Sequence, residues 1–139
     1  MNKIKVLIFE GQDGVGKSTL IAEINKKTKY KYICIDRFLG SAFTYKRHDP
    51  KKIEIAELSL AINTKLDFYL IHLICEDNKT LTKRLGLKKD EDKIINIEKH
   101  RQIYDNYFEN SPLKKIQIDT KDNNIKDCIK MILELTNDN

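Results

Sequence analysis

Glycine and proline are scarce, 5 and 2 in 139 residues, and that scarcity excludes a disordered tail or a low-complexity linker. With 40% apolar and 34% charged residues, the remainder has the balance of a folding globular chain. Long apolar runs are missing as well. The first one, Ile4-Lys5-Val6-Leu7-Ile8, is far too short for a secretory core or a membrane span, so a cytoplasmic protein without a membrane partner is expected. Cysteine is rare and odd in number. Cys34, Cys75 and Cys128 lie far apart in apolar stretches, which argues for reduced core thiols and against a disulfide frame or a metal cluster. His48, His72 and His100 have no ligand-spaced partners; His72 fits a satisfied core group in a strand, and the other two fit the surface.

Arginine is the scarcest of the four charged residue types: Arg37, Arg47, Arg84 and Arg101 stand against a background rich in lysine. The net charge of +5 would suit a polyanion, but the lysines are spread without interleaved aromatics. A solvated surface accounts for them better than nucleic-acid binding, which is disfavoured but not excluded. Each arginine carries more information, because its planar fork grips phosphate at two points where an ammonium cannot. The length allows one hydrophobic core, so residues 1–139 are expected to form a single domain without internal repeats.

Hydrophobic spacing predicts the order of elements. Ile4 to Phe9 reads as a buried strand, and Leu20-Ile21-x-x-Ile24 opens a helical period that fades in Lys26-Lys27-Thr28-Lys29. Tyr32 to Ile35 is a second strand ending at Asp36, followed by a loop through Asp49-Pro50 and a helix marked by Ile53, Ala56, Leu60 and Ala61. Phe68 to Cys75 is a nearly all-apolar third strand, suited to cover on both faces. A helix from about Lys79 to Leu85 leads to the polar tract Lys88 to Lys93, a solvated loop or a lid, after which Ile94 to Phe108 resumes helical spacing. Ile116 to Ile118 forms a last strand, and Ile125, Ile129, Ile132 and Leu133 mark a closing amphipathic helix. Strands alternating with helices imply an α/β fold, a short parallel sheet of about four strands flanked by helices.

Between the first strand and the first helix lies FEGQDGVGKST, in which Gly11-x-x-x-x-Gly16-Lys17-Ser18 matches the phosphate-binding loop pattern in its required strand-to-helix context. The chemistry needs those residues. Glycines let backbone N–H groups wrap a polyphosphate, the helix start adds its positive dipole end, Lys17 neutralises β and γ oxygens, and Ser18 can ligate Mg²⁺. The helix start is expected to be exposed, so removal of the Lys17 charge should leave the fold intact. Asp36 ends the second strand, where a metal-directed carboxylate belongs beside the loop, although a turn-capping role is the plainer alternative. Arg37 follows it, placing a guanidinium for an acceptor phosphate next to that carboxylate. Glu10 either orients loop or acceptor groups or makes a structural hydrogen bond.

EGQDGVGKST followed by DRFLGSAFTYK resembles the thymidylate kinases, whose loop reads Glu-Gly-x-Asp-Gly-x-Gly-Lys-Ser/Thr-Thr and whose second motif reads Asp-Arg-Tyr-x-x-Ser-x-x-Ala-Tyr-Gln. Asp36, Arg37, Ser41 and Tyr45 match in register, while Phe38, Thr44 and Lys46 depart from the pattern. KRLGLKKDEDKI is similar to the family's lid entry, and Arg101-x-x-Tyr104 to its motif after the lid.

The resemblance implies a phosphate-loop nucleotide kinase fold with a short lid over about 86–93, using ATP and Mg²⁺ on a nucleotide substrate, with a homodimer left open. Gly11, Gly14, Val15, Gly16, Lys17, Ser18 and Thr19 would hold the donor phosphates, Arg84 the donor adenine, and Ser18 with Asp36 the metal. Asp13 would meet the acceptor sugar, Arg37 its phosphate, and Phe38 and Tyr45 its base or ribose. Lys88 would stand where the family has a lid arginine, without the two-point geometry. One departure is large: between the first helix and the Asp36-Arg37 strand the family inserts a strand and two helices carrying its base pocket, and this chain has only the few residues near Lys26 to Tyr30. Phosphoryl transfer therefore carries over, whereas specificity for thymidine monophosphate does not. A hydroxyl-acceptor kinase, for a deoxynucleoside or a polynucleotide 5′ end, and a non-catalytic nucleotide-binding module remain as alternatives. Phe38, Phe43 and Tyr45 form either a substitute platform for the acceptor base or an anchoring core.

Overall fold

In the computed structural model, residues 3–12, 14–45, 47–84 and 91–138 are described, with 78, 82 and 91–96 as backbone only. Four strands, β1 (Ile4–Glu10), β2 (Ile33–Asp36), β3 (Leu66–Ile74) and β4 (Lys114–Asp119), form one parallel sheet in the order β2-β1-β3-β4. The helices are α1 (Lys17–Thr28), α2 (Leu39–Thr44), α3 (Pro50–Ala61), α4 (Asn78–Arg84), α5 (Glu91–Asn110) and α6 (Ile125–Leu135).

Alternation along the central strands divides the core in two. Leu7 and Phe9 of β1 with Tyr69, Ile71 and Leu73 of β3 pack against Leu20 and Ile24 of α1 and Ile129 and Ile132 of α6. Val6, Ile8 and Leu70 point the other way, towards Tyr107 of α5, with Phe43 and Leu60 packed alongside. Strands covered on both faces can be apolar throughout, which is why β1 and β3 look continuous in the sequence. The strand order reverses at β1: the chain steps to one side to form β2 and to the other to form β3, and such a reversal opens a crevice at the carboxyl ends of the strands.

Local signals set several boundaries. Asp49 caps α3 by accepting from the Lys51 N–H, and Pro50 occupies the first turn, where its missing donor costs nothing. Asn124 caps α6 through the Asp127 N–H. Four features differ from the sequence expectation. Leu39–Thr44, expected as loop, is a short helix without a side-chain cap, held by tertiary contacts instead. Of the lid expected over 86–93, residues 86–90 lie outside the described residues, while 91–93 already belong to α5. His100 is half-buried and packs edge-on to Tyr45 at 4.9 Å between ring centroids, so it is not a plain surface residue. Lys17 is buried, contrary to an exposed helix start.

Candidate functional site

The site is built at the carboxyl ends of β1 and β2, where the chain leaves β1 through Gly11 to Gly16 and enters α1. Gly11 has φ 145° and stands so near β3 that a Cβ would lie 2.3 Å from the Leu73 carbonyl oxygen. Gly16 has open space around it but φ 97°, so its demand is conformational. Gly14 also has positive φ, and Val15 between them is fully buried, anchoring the loop in the core. No side chain caps α1; its N-cap is Gly16 itself, and a helix start without a side-chain cap can receive an anion.

Lys17 folds back over the loop and donates to the carbonyl oxygens of Gly11 and Gln12, both at 2.8 Å. Burial lowers its pKa, against the attraction of Asp36 and Glu10. Removing this side chain would leave two loop carbonyls without their donor, so the substitution carries a stability cost that the sequence did not suggest. Gln12 donates to the Ile97 carbonyl oxygen at 2.6 Å and ties the loop to α5. Thr19 lies exposed one turn into α1.

Parallel pairing places Asp36 beside Phe9, one residue before the loop's approach. Its carboxylate comes within 3.5 Å of the Ser18 hydroxyl, a long contact between two exposed oxygen groups. Hard oxygen donors in this arrangement suit Mg²⁺, which takes one or two protein ligands and completes its shell with phosphate oxygens and water. Arg37 is held with φ 66°, a left-handed conformation uncommon for a residue with a side chain, and its N–H donates to the Phe9 carbonyl oxygen at 2.9 Å. Phe38 is exposed, while Tyr45 is packed among His100, Tyr104 and Arg47. Phe43 is anchoring core against Tyr107, so the three aromatics do not form one platform.

On the other side of the loop, a cavity of about 380 Å³ is bordered by Gly14, Gly16, Thr19, Arg84, Thr120 and Asn123, among others. Arg84 lines it, donating to the Gly14 carbonyl at 3.3 Å and to the Thr120 hydroxyl at 2.9 Å. Asp13 and Lys88 lie outside the described residues.

Beneath the crevice runs a buried polar layer that sequence reasoning identified only in pieces. Glu10 is fully buried and accepts from the N–H groups of Phe38 and Ser41 and from the Ser41 hydroxyl. Burial raises its pKa, and those three donors together with the charge of Lys17 oppose the rise. The Ser41 hydroxyl meets the Tyr104 hydroxyl at 3.0 Å, the Tyr104 ring lies on His72, and His72 Nδ1 meets Gln117 Nε2 at 3.0 Å. Burial, with Lys17 nearby, pushes the His72 pKa down to about 4. His72 is thus the neutral, satisfied core group that its place in an apolar strand suggested.

No family model matches this sequence, and no curated protein matches it significantly. Solved structures do. The YorR protein from Bacillus subtilis, in complex with phosphorylated GDP, superposes with a TM-score of 0.71 at 22% identity, covering 95% of each chain. Deoxyadenosine kinase from M. mycoides, with the products dCMP and dCDP or with dATP bound, superposes with a TM-score of 0.56 at 17% identity over 96% of this chain and 99% of its own. The chain has the fold of the phosphate-loop nucleotide kinases. Among the described residues, no helix is long and apolar enough to cross a membrane.

Proposed function

We propose that this chain is an ATP-dependent nucleotide kinase of thymidylate-kinase type, which transfers a phosphoryl group to a nucleoside monophosphate. The observation that carries the reading is the meeting of Ser18 and Asp36 beside the phosphate loop, with Arg37 next in the chain. Ser18 and Asp36 would hold Mg²⁺, which when bound neutralises charge on the donor's β- and γ-phosphates. Lys17 swings from the loop carbonyls to the same oxygens, and the backbone N–H groups of Gly14 to Ser18 and Thr19 hold the phosphates. Arg84 and the cavity it lines take the donor base. Arg37 clamps the acceptor phosphate, with Asp13 at the sugar, Phe38 and Tyr45 beside the base or ribose, and Lys88 bringing lid charge to the transferring group. An acceptor phosphate oxygen then forms a bond to the γ-phosphorus while the bond to the bridging oxygen breaks, and ADP leaves. That oxygen is already ionised, so no general base is needed and catalysis rests on positioning and charge.

The second reading is a kinase for a nucleoside 5′-hydroxyl, favoured by the likeness to deoxyadenosine kinase. It requires a base, and the exposed Asp36 carboxylate is the group for it. The acceptor side supports breadth under either reading, because α1 passes to β2 through Lys29 to Tyr32 alone, leaving β2 as an edge strand where the family has a covering segment. In an open site, water satisfies the groups that a wrong base leaves unpaired, so discrimination among dTMP, dUMP and dCMP is expected within about tenfold in kcat/KM.

Incubation with γ-labelled ATP, Mg²⁺ and a panel of dTMP, dUMP, dCMP, dGMP, deoxyadenosine and a 5′-hydroxyl oligonucleotide tests this. Labelled nucleoside diphosphate is expected, and its loss in a Lys17→Met variant shown by circular dichroism to remain folded assigns it to the phosphate loop. Label found only in a monophosphate or an oligonucleotide end establishes the second reading, and ATP binding without transfer indicates a non-catalytic module.

A further inference from the structure

Arg37 is held in its left-handed conformation from both sides. Its own N–H is fixed to the Phe9 carbonyl oxygen at 2.9 Å, and the next N–H, that of Phe38, is fixed to Glu10 Oε1, also at 2.9 Å. A non-glycine residue in this region is strained and persists only where its neighbours over-determine it. The neighbours here are the last two residues of β1. The same Glu10 carboxylate takes the Ser41 N–H on Oε2 and the Ser41 hydroxyl on Oε1, so one side chain spans the turn from Phe38 into α2. Gly40 lies close enough that a Cβ would stand 2.0 Å from Glu10 Oε2 and 2.7 Å from Tyr107 Cε1. Proton order in the chain is also fixed. Ser41 spends its one hydroxyl proton on Glu10, so Tyr104 donates to Ser41, and α5 is drawn into the same set.

We infer that Glu10 is the positioning residue of the acceptor side: it couples the phosphate loop, which begins at the next residue, to the pose of Arg37. Glu10 touches neither substrate. Its effect passes through the Phe38 and Ser41 N–H groups to the backbone that aims the guanidinium. The inference rests on the reading of Arg37 as the clamp for an acceptor phosphate. It goes beyond that reading by assigning control of the clamp to a residue on the donor side of the crevice, which would keep the two phosphates at a fixed separation.

Glu10→Gln keeps the shape but places an NH₂ against a set of donors, so one of the three bonds is lost or inverted. The measurement is two-substrate steady-state kinetics of the parent, Glu10→Gln and Ser41→Ala, with donor binding followed separately by calorimetry with ADP. For Glu10→Gln an acceptor KM raised about tenfold is expected, with donor KM and ADP affinity within about twofold of the parent. Ser41→Ala, which retains the backbone donor and removes only the hydroxyl, should raise acceptor KM about threefold in the same one-sided way. It also serves as the test should Glu10→Gln not fold. Equal changes in both KM values, or none, overturn the role of Glu10 and leave the kinase reading standing. If the parent binds ADP but no mononucleotide acceptor, the reading of Arg37 fails, and this inference with it.

Discussion

His72 shows at the scale of one residue how the buried layer makes itself measurable. Its folded pKa of about 4 lies below the ordinary value of 6.5, so between those limits the unfolded chain binds more protons than the folded one. Stability is therefore unaffected by this group above pH 6.5 and is lost as the pH falls towards 4, by about 3 kcal/mol in all. Glu10 works in the opposite sense, because a carboxyl with raised pKa is protonated more readily in the folded chain. Urea unfolding of the parent and of His72→Gln from pH 7 to pH 4 separates the two, since only the parent should show the additional loss across that window. Parallel slopes would mean that His72 charges without cost. The places of Lys17, Ser18, Asp36 and Arg37 around the loop and the end of β2 were legible in the sequence. The partners of Glu10 were not, because a buried carboxylate finds its donors only once α2 is folded against it.

Among the elements, α2 is the one the sequence hid. It spans six residues, has no side-chain cap and contains Gly40 in its first turn, so propensity and capping give no helix signal. What holds it is tertiary, the Glu10 hydrogen bonds and the contact with Tyr107. By contrast, α3 announces its start with Asp49-Pro50, and α6 shows a strong apolar stripe through Cys128, Ile129 and Ile132. Gly40→Ala places the two kinds of cause in opposition. Helix propensity favours alanine by about 1 kcal/mol, but the methyl would meet Glu10 Oε2 at 2.0 Å, and that oxygen can move only by giving up the Ser41 N–H. The overlap should win, with a net loss of about 2 kcal/mol and a fall in Tm of roughly 10 °C. An unchanged or raised Tm in thermal unfolding would show that α2 is not seated on Glu10 as described.

At the scale of the molecule, the alternation of strands and helices was enough to give a parallel sheet, since each crossover helix carries the chain back to the end of the sheet where the previous strand began. The order β2-β1-β3-β4 puts the reversal between β1 and β3, so the loop leaving β1 opens at that crevice, with Asp36 at the end of β2 on its other side. The short passage from α1 to β2 was legible too, from the few residues that separate the first helical period from Asp36-Arg37. What those residues leave open for the acceptor was not, because the face of a site depends on packing as a whole. The account depends most on Arg37 facing an acceptor phosphate across the crevice from a donor held by the loop. Two-substrate kinetics of Arg37→Lys, with γ-labelled ATP and the best acceptor from the panel, tests that directly. The account predicts an acceptor KM raised about tenfold with the donor KM unchanged, because one arm of a two-point contact is lost on one substrate only. An equal rise in both, or a best acceptor with no phosphate to clamp, would contradict it.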